Sequence, residues 1–169
     1  MPDAIFNTIM EYTPRSVFKD AAAVRDFFRP LREQGKTIVT TNGCFDLLHI
    51  GHVNYLTEAS QLGDILIIGV NSDATVQKLK GPGRPVQNQE NRVKIMSALK
   101  MVDGAFIFFE DDPRPFLEII QPDIHVKGGD YTPDIIERET VEKHGGKIAI
   151  VSFVNGYSTT SIVKKLRSS

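Results

Sequence analysis

Five short runs of apolar, largely β-branched residues, each followed by a stretch with helical spacing, constrain this chain more than any other feature. The runs are 37–41, 64–71, 105–109, 124–126 and 147–153. One of them, Ile65-Leu66-Ile67-Ile68, is apolar without a break, as a strand is when both faces of its sheet are covered. Between and after the runs lie stretches at helical spacing, 51–61, 88–99, 113–120, 133–143 and 158–166. Ahead of them, 16–34 reads as one helix, with Ser16 as N-cap and Gly35 at C′. Its residues Val17, Ala21, Val24, Phe27, Phe28 and Leu31 recur on one face. The alternation predicts an α/β fold, an open doubly wound parallel five-stranded sheet with flanking helices. In such sheets ligands bind beyond the carboxyl ends of the strands. Chemistry is therefore sought in the loops that follow strands.

The 169 residues are an ordinary length for one domain. Lys and Arg total 20 against 21 Asp and Glu, so the net charge is −1. That balance predicts no nucleic acid and no membrane surface among the partners. A single cysteine, Cys44, excludes an internal disulfide and a cysteine-built zinc site. No signal peptide is read at the N-terminus, and the most apolar stretch, 65–70, is too short to cross a bilayer. A cytoplasmic location is expected.

The loop after the first run is the richest. Asn42-Gly43 signals a turn, and Gly51 stands where a helix begins. His49 and His52 are three apart, so a helical first turn puts both on one face. Unpaired amides and the positive end of the helix dipole favour a phosphate there, and two imidazoles add donors. Two blander readings compete. The histidines are half of a metal site with no completing ligands, or incidental neighbours of a capping Asp46.

Lys78, Lys80 and Arg84 flank Gly81-Pro82-Gly83, either as a basic lid over the site or as a solvated turn. Arg92 near a helix start calls for an anion close by, and Glu90 is one candidate. Lys127-Gly128-Gly129-Asp130-Tyr131 follows a strand directly, where paired glycines permit close approach of a ligand. Asp130 suits a sugar or a ribose hydroxyl equally, and Tyr131 suits a plain turn. Ser158-Thr159-Thr160-Ser161 opens the last helix and offers both a cap and donors to phosphate. His125, His144, Asp111-Asp112 and the acids of 137–142 read as structural or surface groups.

Gly43-Cys44-Phe45-Asp46 followed by His49-Ile50-Gly51-His52 resembles the H-x-G-H signature of the nucleotidyltransferase superfamily. Asn71-Ser72-Asp73, Leu79-Lys80-Gly81, Arg84-Pro85-Val86, Lys127 to Tyr131 and Ser158-Thr159-Thr160 extend the likeness to its heptose 1-phosphate adenylyltransferase branch, from about Lys36 to Leu166. Cys44 departs from that branch, where valine is common. The resemblance implies a Rossmann-like fold, with residues 36–169 as the nucleotidyltransferase domain and 1–35 as an N-terminal extension with a helix. It implies catalytic roles for His49, His52, Lys80 and Arg92. Nucleotide binding falls to Thr41, Asn42, Gly43, Cys44, Phe45, Gly51, Lys127, Gly128, Ser158, Thr159 and Thr160. Asp46, Arg84, Asp130 and Tyr131 fall on the acceptor side. No metal is expected on protein ligands, and Mg²⁺ is expected to arrive with ATP. The implied reaction moves AMP from ATP to D-glycero-D-manno-heptose 1-phosphate and releases pyrophosphate. The ADP-heptose formed serves the inner core of lipopolysaccharide, with separate kinase and phosphatase proteins and a homo-oligomeric enzyme. The alternative is a cytidylyltransferase acting on glycerol 3-phosphate or a related alcohol phosphate.

Overall fold

The structure is a computed structural model that describes residues 16–129, 135–152 and 159–167. Six strands form one sheet: β1 (Ser16–Phe18), β2 (Ile38–Gly43), β3 (Ile65–Asn71), β4 (Gly104–Phe108), β5 (Ile124–Gly128) and β6 (Lys147–Val151). Their order is β1-β4-β3-β2-β5-β6, and every pairing is parallel. The helices are α1 (Ala21–Glu33), α2 (Ile50–Ser60), α3 (Asp73–Lys80), α4 (Gln89–Ser97), α5 (Arg114–Ile120), α6 (Arg138–Glu142) and α7 (Thr159–Arg167). Among the described residues no helix is long and apolar enough to cross a membrane.

The uninterrupted apolar run in β3 works as expected, because successive side chains of a strand point to opposite faces. Leu66, Ile68 and Val70 join Tyr55 and Leu56 of α2 and Val93 and Met96 of α4 on one side. Ile65 and Ile67 join Val24 and Phe28 of α1 and Phe116, Leu117 and Ile120 of α5 on the other. A strand with two covered faces has no polar face to show. Each fully buried side chain of this size contributes about 1.5–3 kcal/mol.

The sheet has six strands rather than the expected five, and the sixth comes from residues read as the start of a helix. Val17, Ala21 and Val24 do recur at helical spacing, but Asp20 accepts a hydrogen bond from Ala23 N at 2.9 Å and caps α1 there. The chain before the cap runs extended, and Ser16, Val17 and Phe18 pair with Gly104, Ala105 and Phe106. Phe18 then packs on Phe27 and Phe28, with ring centroids 5.1 and 5.6 Å away. Gly104 makes room for it, since a Cβ there would lie 2.7 Å from the Phe18 ring.

Strand order reverses between β2 and β5, and that seam is cross-linked by side chains at successive positions. Thr40 Oγ1 lies 2.8 Å from His125 Nδ1. Tyr55 of α2 donates to Val126 O at 3.0 Å, so the Thr41 hydroxyl, 2.6 Å away, donates to Tyr55. All of these residues are buried. Tyr55→Phe is expected to remove the hydrogen bonds of the Tyr55 hydroxyl to Val126 O and the Thr41 hydroxyl from the core, at a cost of about 1–3 kcal/mol. Urea denaturation of the two proteins measures it.

Candidate active site

The carboxyl ends of β2, β3 and β5 carry the groups the sequence singled out. Beyond β2, Phe45 takes a left-handed backbone, φ 46°, which a bulky side chain rarely adopts. Such a conformation costs about 1–3 kcal/mol and persists only where its surroundings enforce it. Here the buried Phe45 ring meets His52 edge-on at 5.4 Å. The turn brings the chain to His49, the N-cap of α2, which makes no side-chain cap. His49 and His52 stack with centroids 3.8 Å apart. In both rings Nδ1 is buried with no hydrogen-bond partner among the described residues.

Burial drives the His52 pKa down to about 4, and the neighbouring His49 adds to the effect against a backbone hydrogen bond at Leu47. Burial lowers His49 as well. In the ligand-free site burial thus disfavours the charged form of both rings, which stand as hydrogen-bond donors above the N-terminus of α2. Thr159, in the first turn of α7, donates to Leu47 O at 3.3 Å and closes this loop from the far side. Thr160 follows it in the helix. Gly51 is buried in the first turn of α2, and Gly128 ends β5. Asp130, Tyr131 and Ser158 lie outside the described residues.

The basic segment after β3 differs from a simple loop. Ser72 accepts from Thr75 N and starts α3, so Lys78 and Lys80 sit in the last turn of a helix. Lys78 is held by Asp111 at 2.7 Å, while Lys80 is exposed and close enough to Cys44 to act on its thiol. Burial pushes that thiol up, against the pull of Lys80 and Arg92. Gly81 and Gly83 have φ of 90° and 80°, values that need glycine. They turn the chain back toward the β2 loop, where Asp46 receives it. The Asp46 carboxylate accepts from Arg84 Nε at 2.6 Å and from the amides of Val86 and Gln87 at 2.8 and 3.0 Å. Burial would raise its pKa, but the Gln87 and Val86 amides and Arg84 hold it below the usual carboxylate range. Asp46, expected on the acceptor side, thus spends its carboxylate on fixing the 84–87 segment and orienting Arg84.

Arg92 departs furthest from its expected contact with phosphate. Its side chain has no exposed surface. Nε donates to Gln87 O at 3.0 Å, one terminal nitrogen to Cys44 O at 2.5 Å, and the other to Asn71 O at 2.7 Å and Asp73 Oδ1 at 2.8 Å. The anion it needed is Asp73, not Glu90. Thr41 likewise turns its hydroxyl inward to Tyr55. Tyr55 and Glu137, neither of them in a motif, prove to be part of the framework. Tyr55 was legible only as a buried helix position, and Glu137 was hidden in an acidic run. Lys127 donates to Asn42 Oδ1 at 3.3 Å and pairs with Glu137 at 2.6 Å, which buries an acid expected to be solvated. His125 is structural, fully enclosed with its pKa driven by burial to about 3, and His144 pairs with Glu118.

A profile of the Cytidylyltransferase-like family matches residues 40–165. Bifunctional protein HldE of Geobacter sulfurreducens is 50% identical over 136 residues, which cover 80% of this chain and 28% of that protein. The protein of the same name from Syntrophotalea carbinolica is 42% identical over 165 residues, 97% of this chain and 33% of that one. The chain spans about a third of the length of these curated relatives. The crystal structure described as the lipopolysaccharide core biosynthesis protein from Thermoplasma volcanium superposes with a TM-score of 0.61 at 33% identity. It covers 73% of this chain and 100% of that one.

The buried histidines make the fold sensitive to acid. An unfolded histidine takes up a proton near 6.5, whereas His52 and His125 in the fold resist until about 4 and 3. The unfolded chain thus binds more protons below 6.5, and stability is lost as pH falls from 6.5 toward 4. The melting temperature is expected to drop between pH 7 and pH 5, and to drop less in His125→Asn. An equal drop in the variant would remove His125 from the account.

Proposed function

Because the chain belongs to the Cytidylyltransferase-like family of nucleotidyltransferases, we propose that it transfers AMP from ATP to D-glycero-D-manno-heptose 1-phosphate, forming ADP-heptose for the inner core of lipopolysaccharide. The observation that carries the reading is the stacked His49–His52 pair at the start of α2, with Lys80 from the last turn of α3, Arg84 from the segment after it and Lys127 from the end of β5. The acceptor follows from the order of the motifs after β3 and β5. A relative described as a lipopolysaccharide core biosynthesis protein supports it.

In this reading a phosphate oxygen of the sugar attacks the α-phosphorus in line. The bond from that phosphorus to the bridging oxygen of the β-phosphate breaks, and pyrophosphate leaves with the electron pair. No protein nucleophile is required, so the protein's task is to position the phosphates and neutralise their charge. The imidazoles donate N–H bonds to phosphate oxygens. They act as fixed dipoles in a partly dehydrated site, which need no reorganisation as charge builds. Lys80 and Arg84 come from the segment that Asp46 and the two glycines hold in place, and meet the departing pyrophosphate. Arg92 supports the loops that touch the nucleotide without touching it itself.

Magnesium suits this site as part of the nucleotide. The Asp46 carboxylate is filled by protein donors and Asp73 is engaged with Arg92, so the phosphates supply the oxygens a hard cation prefers. We infer also that the enzyme works in the cytoplasm as a homo-oligomer. Its acceptor is supplied by kinase and phosphatase steps.

Pyrophosphate release decides the reading. ATP with heptose 1-phosphate is expected to be the productive pair, ahead of ATP or CTP with glycerol 3-phosphate. Preference for CTP and glycerol 3-phosphate would make the protein a cytidylyltransferase for an alcohol phosphate. His52→Ala is expected to lower turnover by roughly 10²–10³-fold, the effect of losing one preorganised donor, with the fold retained. Normal turnover in a folded variant would remove His52 from the site.

A further inference from the structure

Glu137 lies in no motif, yet its carboxylate is among the most enclosed acidic groups of the described chain, with 4% of its side chain exposed. It faces Lys127 Nζ at 2.6 Å, and that ammonium also donates to Asn42 Oδ1 at 3.3 Å. Asn42 stands near the end of β2 and Lys127 near the end of β5, neighbouring strands on the two sides of the reversal in strand order. This is where an open α/β sheet receives its ligand.

The two partners of the pair are held very differently. Glu137 is set by its backbone, because its carbonyl accepts from Val141 N at 3.0 Å and α6 docks through buried Thr140 and Val141. Lys127 ends a flexible stem of four methylenes, with a strongly hydrated charge that is entropically costly to hold still. A stabilising role alone accounts poorly for such a pair, since buried ion pairs often give way to apolar groups at no cost in stability. What the carboxylate does supply is a fixed place for the ammonium.

We propose that Glu137 is a positioning residue, whose buried carboxylate holds the Lys127 ammonium beside Asn42 at the β2–β5 mouth, against the phosphate oxygens of bound nucleotide. The proposal rests on the nucleotidyltransferase reading. It adds a residue that acts through Lys127 and touches no substrate.

The test is a double-variant cycle on the whole chain, combining Glu137→Gln with Lys127→Met. ATP binding is followed by titration calorimetry, kcat and KM by pyrophosphate release, and folding by urea denaturation. Glu137→Gln is expected to weaken ATP binding about ten- to a hundredfold, the range for loss of one charge-assisted contact. Glu137→Asp, one methylene shorter, recovers part of that loss. In the Lys127→Met background the Glu137 substitution costs nothing further. Equal cost in both backgrounds, or unchanged ATP binding in a folded Glu137→Gln, overturns the proposal. Should Glu137→Gln not fold, Glu137→Asp carries the same cycle, and full additivity with Lys127→Met overturns it. If the unaltered protein releases no pyrophosphate from ATP with a sugar phosphate, the functional reading fails. The titration, with CTP beside ATP, still reads the coupling between the two side chains.

Discussion

The guanidinium of Arg92 is the interaction on which the rest of the site depends. It draws the carbonyls of Cys44, Asn71 and Gln87 and the carboxylate of Asp73 to one planar group. These acceptors come from the loop after β2, the end of β3, the segment above them and the start of α3. Enclosing a cation of this kind costs several kcal/mol, and only saturation of its donors offsets it. Lysine has neither the fork geometry nor the number of donors to do the same. The phosphate-facing loop and the basic segment thus share one internal brace, and neither can shift without breaking a bond to it.

A common electrostatic design runs through the site. Asp46 faces Arg84, Asp73 faces Arg92, and Glu137 faces Lys127. Each acid is engaged with a cation of the protein, and Asp46 and Glu137 are enclosed with theirs. These three pairs are close to neutral as a set before any anion arrives. The histidines continue the theme, because burial keeps them uncharged. Positive potential at the helix start comes from peptide dipoles, which do not titrate.

Much of the architecture is legible in the residues. β3 announces itself through Ile65 to Ile68, and the position of the site follows from a turn, a glycine and two histidines at a strand end. β1 is not legible, because Val17, Ala21 and Val24 imitate a helix and only the Asp20 cap, a side-chain bond, divides strand from helix. α3 is short, and its start at Ser72 reads equally well as a loop. The inward roles of Arg92, Asp46 and Glu137 are invisible for a different reason. A charged residue in a sequence carries no mark of its partner, and these partners lie 5 to 48 positions away. Local pattern finds the groups that can bind a phosphate. Which of them face the ligand and which face the protein is decided by contacts between distant segments.

The placement of β1 at the edge beside β4 has a consequence for how the protein is made. Ser16 pairs with Gly104, so 104 − 16 = 88 positions of chain separate the two partners. Ribosomes add about 5–20 residues per second, N-terminus first. The earliest of the six strands to emerge therefore waits roughly 4–18 seconds for its neighbour, with its backbone edge unpaired meanwhile. Its place in the sheet is not completed until β4 has left the ribosome, and a chaperone that recognises short apolar segments would meet it first there.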